Sequence, residues 1–552
     1  MGMNQVFAWF GANPVYYHLI ALTALFLFVT LAVRNRQAAD GRRVELVFLA
    51  MTFVTLFACR WPVFLAPFPL NPDESTFATG AIKATVDFAP WRGFNAGTSG
   101  PLNVYILALP ALFGAPITFA SCRIIAALLM GTAMLALYYA VKWTYGDQVA
   151  RLSIVPPVLF LSLVTDWDFV HYSSELLSIC LTTIALAGIS HLTKEGGSLS
   201  SHVTAGAIAG FCLGSTLFAK FQAVPIALLL FTFAAATVLL FRSRVRKEVW
   251  VVAMTTVGAM CVVPAAILTS LWWTGEFRDA YWSYIRMNLG YAAAGVQKLR
   301  LAFFLEYSAY YTVFLVCSLI IILLSTLALA RRRMFTRQAV CVAVASFLLL
   351  SAALFVIIKP HREFGHYLLF SIVPVSFFVA NALGLTRAAG FWKGRGSFIS
   401  ILLVALFVLP TLSVAMSSGN RFIKELAYNL KHRKSAAALA ISRYAKPGDP
   451  MCVWGWASEY HVQTSTYPAT RELETEGFIR EGPYNRFRQR YLSEIQKSKP
   501  VVFVDAVAPN EFFSKDRATQ GHEIFPELAA YIRDNYELKE EISGVRIYVR
   551  TR

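Results

Sequence analysis

About a dozen apolar runs, each close to the length that crosses a hydrocarbon core and each bounded by a polar loop, constrain this chain more than any other feature. They lie at 15–33, 45–66, 120–141, 152–165, 173–192, 203–219, 222–241, 249–272, 308–330, 338–358, 367–386 and 397–416. A helix needs about 20 apolar residues to span roughly 30 Å, so the runs at 152–165 and 203–219 are short. The stretch 101–114 reads as either a further span or a helix lying in the interface. The sequence thus predicts a polytopic α-helical membrane protein of about 11 to 13 transmembrane helices. Composition agrees: 57% of the 552 residues are hydrophobic and 15% charged, which excludes a water-soluble globular fold.

Charge sets the expected topology. A formal net charge of +18 would point to nucleic acid in a soluble protein, but here the cations sit in short clusters between apolar runs. Numbered alternately, the loops carrying Arg34, Arg36, Arg42 and Arg43, then Lys142 and Arg151, Lys194, and the clusters at 242–247, 331–337 and 387–395 fall on one side. That side is cytoplasmic by the positive-inside rule, and no nucleic acid is expected as a partner. The other side receives the N-terminus, loop 67–119, segment 166–172, loop 274–306, turn 359–366 and everything beyond residue 420. Nothing before the first run has the basic character of a cleaved leader, so that span is expected to remain. Of eight cysteines only Cys452 lies in a polar region, and no CxxC pair is present. Neither a disulfide framework nor a thiolate metal site follows.

Beyond residue 420 no run is long enough to span, and the charges are mixed. MCVWGW (451–456) and VVFVDAV (501–507) read as short buried strands, FPELAAYIRDNY (525–536) as an amphipathic helix and GVRIYVR as a closing strand. Three parts are expected: an additional N-terminal helix and loop over 1–44, a membrane domain over 45–419 with its first outer loop at 67–119, and an extracytoplasmic α/β domain over 420–552.

The chemistry-bearing residues gather on the outer side. In NPDESTFATGAIK (71–83) two adjacent carboxylates, Asp73 and Glu74, follow directly on an apolar run. A charge so close to lipid needs a partner or a function, although a plain polar loop cap accounts for them equally well. Four more groups share that side: Asp166, Asp168 and His171 with Glu175; Lys220; Arg278, Arg286, Lys298 and Arg300; and His361, Arg362, His366 and Tyr367 in HREFGHY. Acids that accept a proton from a hydroxyl, beside cations that stabilise a departing phosphate, are what group transfer at a membrane surface requires. Lys220 also suits the end of a helical hairpin, its amine snorkelling to the interface. Glu74, Asp166, Asp168 and His171 are the candidates for a divalent metal, yet DWDFVHYSSE lacks a fixed ligand spacing and its groups serve as well as polar caps. No G-x-x-x-x-G-K-[ST] loop or dinucleotide fingerprint is present, so no nucleotide cofactor is expected and any donor is membrane-borne.

NPDE in the first large outer loop, GPLNVYILALPALFG then SCRIIAALLMG, HYSSELLSICLTTIALAG at the fifth span, LFAKFQAVPIAL at the hairpin and HREFGHYLLFSIVP near the end follow one another in a familiar order. Over roughly residues 45–549 the chain resembles the C-type (GT-C) membrane glycosyltransferases, most of all the bacterial branch related to protein O-mannosyltransferases and 4-amino-arabinose lipid A transferases. YAKPGDPMCVWGW and YPATRE are similar to the C-terminal domains of that branch. The resemblance implies transfer of a sugar, with inversion, from a polyprenyl-phosphate donor to an acceptor hydroxyl. It implies Asp73 as general base, Glu74 orienting the acceptor or a metal, and Lys220, His361 and Arg362 at the donor phosphate with His366 and Tyr367 beside them. The acceptor implied is an envelope glycolipid, polysaccharide or protein. The place implied is a bacterial cytoplasmic (inner) membrane, with the site and the C-terminal domain facing outward.

Two other classes compete. A lipid or sugar transporter or flippase places its essential charges in mid-span, and these spans are nearly free of acids at mid-depth. A scaffold that merely anchors the α/β domain needs one span, not a dozen.

Overall fold

Apolar segments of this length close into helices because lipid offers no partner for a backbone N–H or C=O. The computed structural model describes residues 3–34, 41–194, 197–240, 246–293, 300, 302–331, 337–425, 434–479 and 487–551; Lys298 and the loop cations Arg36, Arg242, Arg244, Arg332 and Arg333 lie outside them. The membrane part runs α1 (Met3–Ala12), α2 (Pro14–Val33), α3 (Gly41–Phe64), α4 (Pro72–Ala84), α5 (Pro101–Leu112), α6 (Phe119–Tyr145), α7 (Asp147–Leu163), α8 (Ser174–Leu192), α9 (Leu199–Ala219), α10 (Val224–Leu240), α11 (Arg246–Thr274), α12 (Ala309–Arg331), α13 (Arg337–Ile358), α14 (Ile372–Ala388) and α15 (Gly396–Ser418). Eleven helices among the described residues are long and apolar enough to cross a membrane. The chain is a multi-pass membrane protein.

The run at 152–165 belongs to α7, a helix of 17 residues buried along nearly its whole length. The stretch 101–114 forms the 12-residue α5, too short to span, with Leu112 and Phe113 exposed at its end. The first span is part of the bundle core: Phe28 of α2 stacks on Phe48 of α3 at 5.2 Å, and the Tyr17 hydroxyl donates to the Cys59 carbonyl at 2.7 Å. Gly210 and Gly214 let α9 and α11 touch backbone to backbone, because an added Cβ would lie 2.0 Å from the Thr256 carbonyl and 1.9 Å from that of Met260.

Loops that the charge pattern assigns to one side do meet at one end. Lys142 pairs with Glu45, and Arg151 binds Asp147 (2.9 Å) and the Ala32 and Arg34 carbonyls (3.2 and 2.8 Å), capping the end of α2. Arg387 reaches the Tyr145 carbonyl at 3.4 Å. At the opposite end Trp272 and Trp273 are exposed at the end of α11, as aromatic residues are where a helix leaves the hydrocarbon.

The C-terminal region forms a five-stranded sheet in the order β2-β1-β3-β5-β4, made of β1 (Pro450–Trp454), β2 (Tyr467–Pro468), β3 (Val502–Asp505), β4 (Tyr536–Ile542) and β5 (Val545–Arg550). β1 and β3 are parallel, and β5 returns antiparallel to β3. Helices α16 (Ala436–Tyr444), α17 (Glu459–Thr464), α18 (Arg488–Ser498) and α19 (Pro526–Asn535) accompany it. The strands read from MCVWGW, VVFVDAV and GVRIYVR and the helix read from FPELAAYIRDNY are all present. The edge strand β4, YELKEEI, carries charges and is largely exposed, so it lacks the apolar alternation that reveals a strand.

This sheet region rests on α4. The Thr79 hydroxyl donates to the Ser458 carbonyl (2.9 Å), the Lys83 amine to the Pro468 carbonyl (2.8 Å) and the Trp456 indole to Thr76 Oγ1 (2.9 Å). The contact extends beyond α4. Arg471 joins Glu494, Glu276 and Asp279 at 2.6, 3.1 and 3.0 Å, and Arg490 binds Asp279 at 2.6 Å and Glu472.

Candidate active site

Asn71 begins α4. Its side-chain oxygen accepts from the Asp73 amide at 3.0 Å, and Pro72 occupies the first helical position, where a missing N–H costs nothing. Asp73 and Glu74 therefore sit in the first turn, where the helix dipole favours negative charge. Their environments then diverge.

Glu74 is fully buried. Its oxygens accept from Arg123 Nε and Nη2 at 2.9 and 2.7 Å, and from the Leu70 and Tyr172 amides at 3.3 Å each. Arg123, also fully buried, spends its remaining donors on the Val63, Ala66 and Phe68 carbonyls at 2.6 to 2.9 Å. This bidentate pair ties α4 to α6 and to the end of α3. Glu74, expected to orient an acceptor or a metal, thus has both oxygens engaged by protein donors. Asp73 is only partly buried and lies close enough to His366, Tyr367 and Tyr291 to act on them electrostatically.

Segment 166–175 faces Asp73 across this space. Asp168 accepts from Tyr307 at 2.6 Å, from the Gly365 amide at 3.0 Å and from Asn71 at 3.1 Å, with His366 Nδ1 at 3.7 Å. Burial works against its charge, but the His366 and His171 rings and the Tyr307 hydroxyl outweigh it and hold the carboxyl below the usual carboxylate range. His171 Nδ1 lies 2.8 Å from the Trp167 carbonyl and so carries the proton, leaving Nε2 buried with no hydrogen-bond partner. His366 Nδ1 is likewise buried and without one. One ligand atom each from Asp168, His171 and His366 come within 4.8 Å of one another. A histidine that gives one ring N–H to a carbonyl and presents the other nitrogen is the usual posture of a metal ligand, so these three residues fit a divalent cation such as zinc. Of the other expected metal candidates, Glu74 is taken by Arg123, and Asp166 accepts from Ser308 at 2.5 Å.

Among the cations, Lys220 is buried at the junction of α9 and α10, 3.0 Å from Glu175 and 2.6 Å from Ser174 Oγ. Gly100 makes that junction fit: a Cβ there would sit 1.8 Å from the Phe218 carbonyl. Arg362 lies over the Tyr291 ring at 5.0 Å, and the Tyr291 hydroxyl is 3.3 Å from that of Tyr367. His361 takes a left-handed backbone conformation (φ 51°) just after α13, a position costly for a residue with a Cβ, and so aims the turn that carries Arg362 and His366. Arg300 turns away to Glu363 at 3.0 Å.

Residues that motif reading passed over include Arg123, Asn71, Tyr291 and Tyr307. Arg123 left a signal, a single cation at the start of an otherwise apolar run in SCRIIAALLMG. The two tyrosines left none, because nothing local distinguishes them from interfacial aromatics.

The fold is that of the C-type membrane glycosyltransferases. The structure of ArnT from Cupriavidus metallidurans in the apo state superposes with a TM-score of 0.53 at 14% identity, covering 93% of this chain and 98% of that one. The same protein bound to undecaprenyl phosphate gives a TM-score of 0.52 at 12% identity, with the same coverage of both chains. No protein-family model matches the sequence, and no curated relative does.

Proposed function

We propose that this protein is an inverting glycosyltransferase that moves a sugar from a polyprenyl-phosphate donor to a hydroxyl of an envelope glycolipid, polysaccharide or protein on the outer side of a bacterial cytoplasmic membrane. One observation carries the reading: a partly exposed carboxylate, Asp73, at a helix N-terminus, facing a cluster that includes Lys220, Arg362 and His366. A neighbour of the same fold holding undecaprenyl phosphate supports the donor class.

Asp73 accepts the proton of the acceptor hydroxyl as its oxygen bonds to the anomeric carbon. The bond from that carbon to the phosphate oxygen breaks on the opposite face, and the polyprenyl phosphate leaves with the electron pair. A positioned carboxylate contributes roughly 10²- to 10⁴-fold to such a step. Lys220 and Arg362 meet the charge that develops on the leaving phosphate, in a setting where water competes poorly. Glu175 then shares Lys220 with the phosphate, and the Tyr291 ring, whose hydroxyl meets that of Tyr367, holds Arg362. A divalent cation held by Asp168, His171 and His366 would add Lewis-acid stabilisation of the phosphate.

The test uses purified protein in nanodiscs, undecaprenyl phosphate and a panel of undecaprenyl-phosphate pentoses, hexoses and amino sugars. Asp73→Asn should bind undecaprenyl phosphate as the wild type does and lose roughly 10²- to 10⁴-fold in transfer. Arg362→Gln should weaken lipid binding about tenfold. Full transfer by Asp73→Asn, or no binding of undecaprenyl phosphate by the wild type, overturns the reading.

A further inference from the structure

The chemistry above leaves unused a set of side chains where the sheet region meets α4. β1 and β3 are parallel neighbours, so the loops that follow them, 455–458 and 506–514, open at the same edge of the sheet. The crevice outside the carboxyl ends of parallel strands is where open α/β sheets take their ligands. Here that edge lies against the helix that carries Asp73: Trp456 bonds Thr76, one turn beyond Asp73, and Ser458 bonds Thr79, about one turn further.

Trp456 stacks almost flat on Phe513, with ring centroids 4.8 Å apart and planes 14° apart. Both rings are partly exposed, and Phe512 beside them is 56% exposed. Glu459 opens α17 next to this stack, and the Tyr460 hydroxyl donates to Glu511 at 3.1 Å. Lys83, on the same helix as Thr76, is no counter-charge, because its amine is turned to the Pro468 carbonyl.

We infer that this edge is the acceptor subsite and that it takes an uncharged saccharide: Trp456 and Phe513 carry the apolar face of a sugar ring, and Glu459 and Glu511 bind its hydroxyls. A phosphate-bearing acceptor would meet the Glu511 and Asp73 carboxylates as like charges, which costs binding. Burial, then the charge of Glu511, pushes Glu459 up to about 8. At neutral pH it therefore keeps its proton and can donate to a hydroxyl while Glu511 accepts. The proposal rests on the transferase reading above and names the acceptor class for the same site.

Saturation-transfer NMR on the full-length protein in nanodiscs tests it. The probes are neutral methyl glycosides of a pentose, a hexose and an N-acetylhexosamine, each paired with its phosphate monoester. At least one neutral glycoside should show transfer that falls about fivefold or more in Trp456→Ala and in Phe513→Ala. Trp456→Phe, which keeps the ring and loses the bond to Thr76, should retain it. The phosphate partner should bind about tenfold more weakly, and Glu511→Gln should narrow that gap. No transfer to any neutral glycoside, equal binding of the phosphate partners, or undiminished transfer in Trp456→Ala overturns the proposal. Undecaprenyl phosphate binding is measured on the same samples. If it persists while the glycosides fail, only the acceptor assignment falls; if the wild type does not bind it, the transferase reading falls as well.

Discussion

The two ends of the helical bundle use their charged side chains differently. At one end Lys142 meets Glu45, and Arg151 is shared between Asp147 and the terminal carbonyls of α2. Those charges close on one another and on helix ends. At the opposite end the Arg123–Glu74 pair is just as complete, but around it His171 Nε2, His366 Nδ1 and Arg362 Nε are buried without hydrogen-bond partners, and Asp73 is left partly open. Buried polar atoms without partners are costly and uncommon, so three unpartnered nitrogens gathered beside an open carboxylate point to a ligand there. The lesson lies between neighbours in sequence as well: Asp73 and Glu74 are consecutive acids, and only one is free to act.

The largest effect should separate those neighbours. Glu74→Ala or Arg123→Ala strips one partner from a buried ion pair and should cost about 3–5 kcal/mol, read as a large fall in thermal unfolding temperature in detergent. Asp73→Asn should leave that temperature unchanged while abolishing transfer. If Asp73→Asn destabilises as much as Glu74→Ala, the two carboxylates share one structural role and the contrast fails.

Next in size is the metal cluster. Purified wild-type protein incubated with zinc and desalted should retain about one equivalent by elemental analysis, and His171→Ala combined with His366→Ala should retain essentially none. Equal zinc content in both would return these rings to a packing role.

A smaller effect is expected at the end of the bundle that holds Lys142. Lys142→Met breaks a partly exposed pair with Glu45 and should shift stability by about 1 kcal/mol or less, without touching transfer. A loss of transfer there would break the distinction between the ends.

A further contrast concerns pH and the sheet region. The Glu459 carboxyl, ordinarily near 4.5, is pushed up to about 8 in the folded protein, by burial first and then by Glu511. The folded state thus holds this proton more tightly than the unfolded one. The stabilisation it gives is complete below the ordinary value and is lost as pH rises through about 8. Unfolding temperature should decline between pH 5 and about 8.5 on this account, and Glu459→Gln should flatten that decline. A profile of the same slope in the variant would show that Glu459 titrates alike in both states.

Much of the architecture was legible. The span count follows from apolar length, the clustering of loops from the distribution of arginine and lysine, and the central strands from short apolar runs, because lipid and a buried sheet each impose a pattern that repeats along the chain. The edge strand β4 escaped, since it has no buried face to enforce alternation. In the site, the groups around Asp73, Asp168, Lys220 and Arg362 could be gathered from topology alone. Their division of labour could not. The pairing of Glu74 with Arg123 spans 49 residues, and that of Asp168 with Tyr307 spans 139.

By itself the sequence determined that the chain crosses a membrane many times, which loops share a side and which ionisable residues stand together at one end of the bundle. These are properties of local composition, set by the cost of moving charge and backbone polar groups into hydrocarbon. Only the tertiary structure decided that Glu74 is clamped while Asp73 stays open, that His366 joins Asp168 and His171, and that the C-terminal sheet rests on the helix behind Asp73. Those outcomes depend on which donors and acceptors meet within about 3 Å, and such meetings are made by packing between segments far apart in the chain.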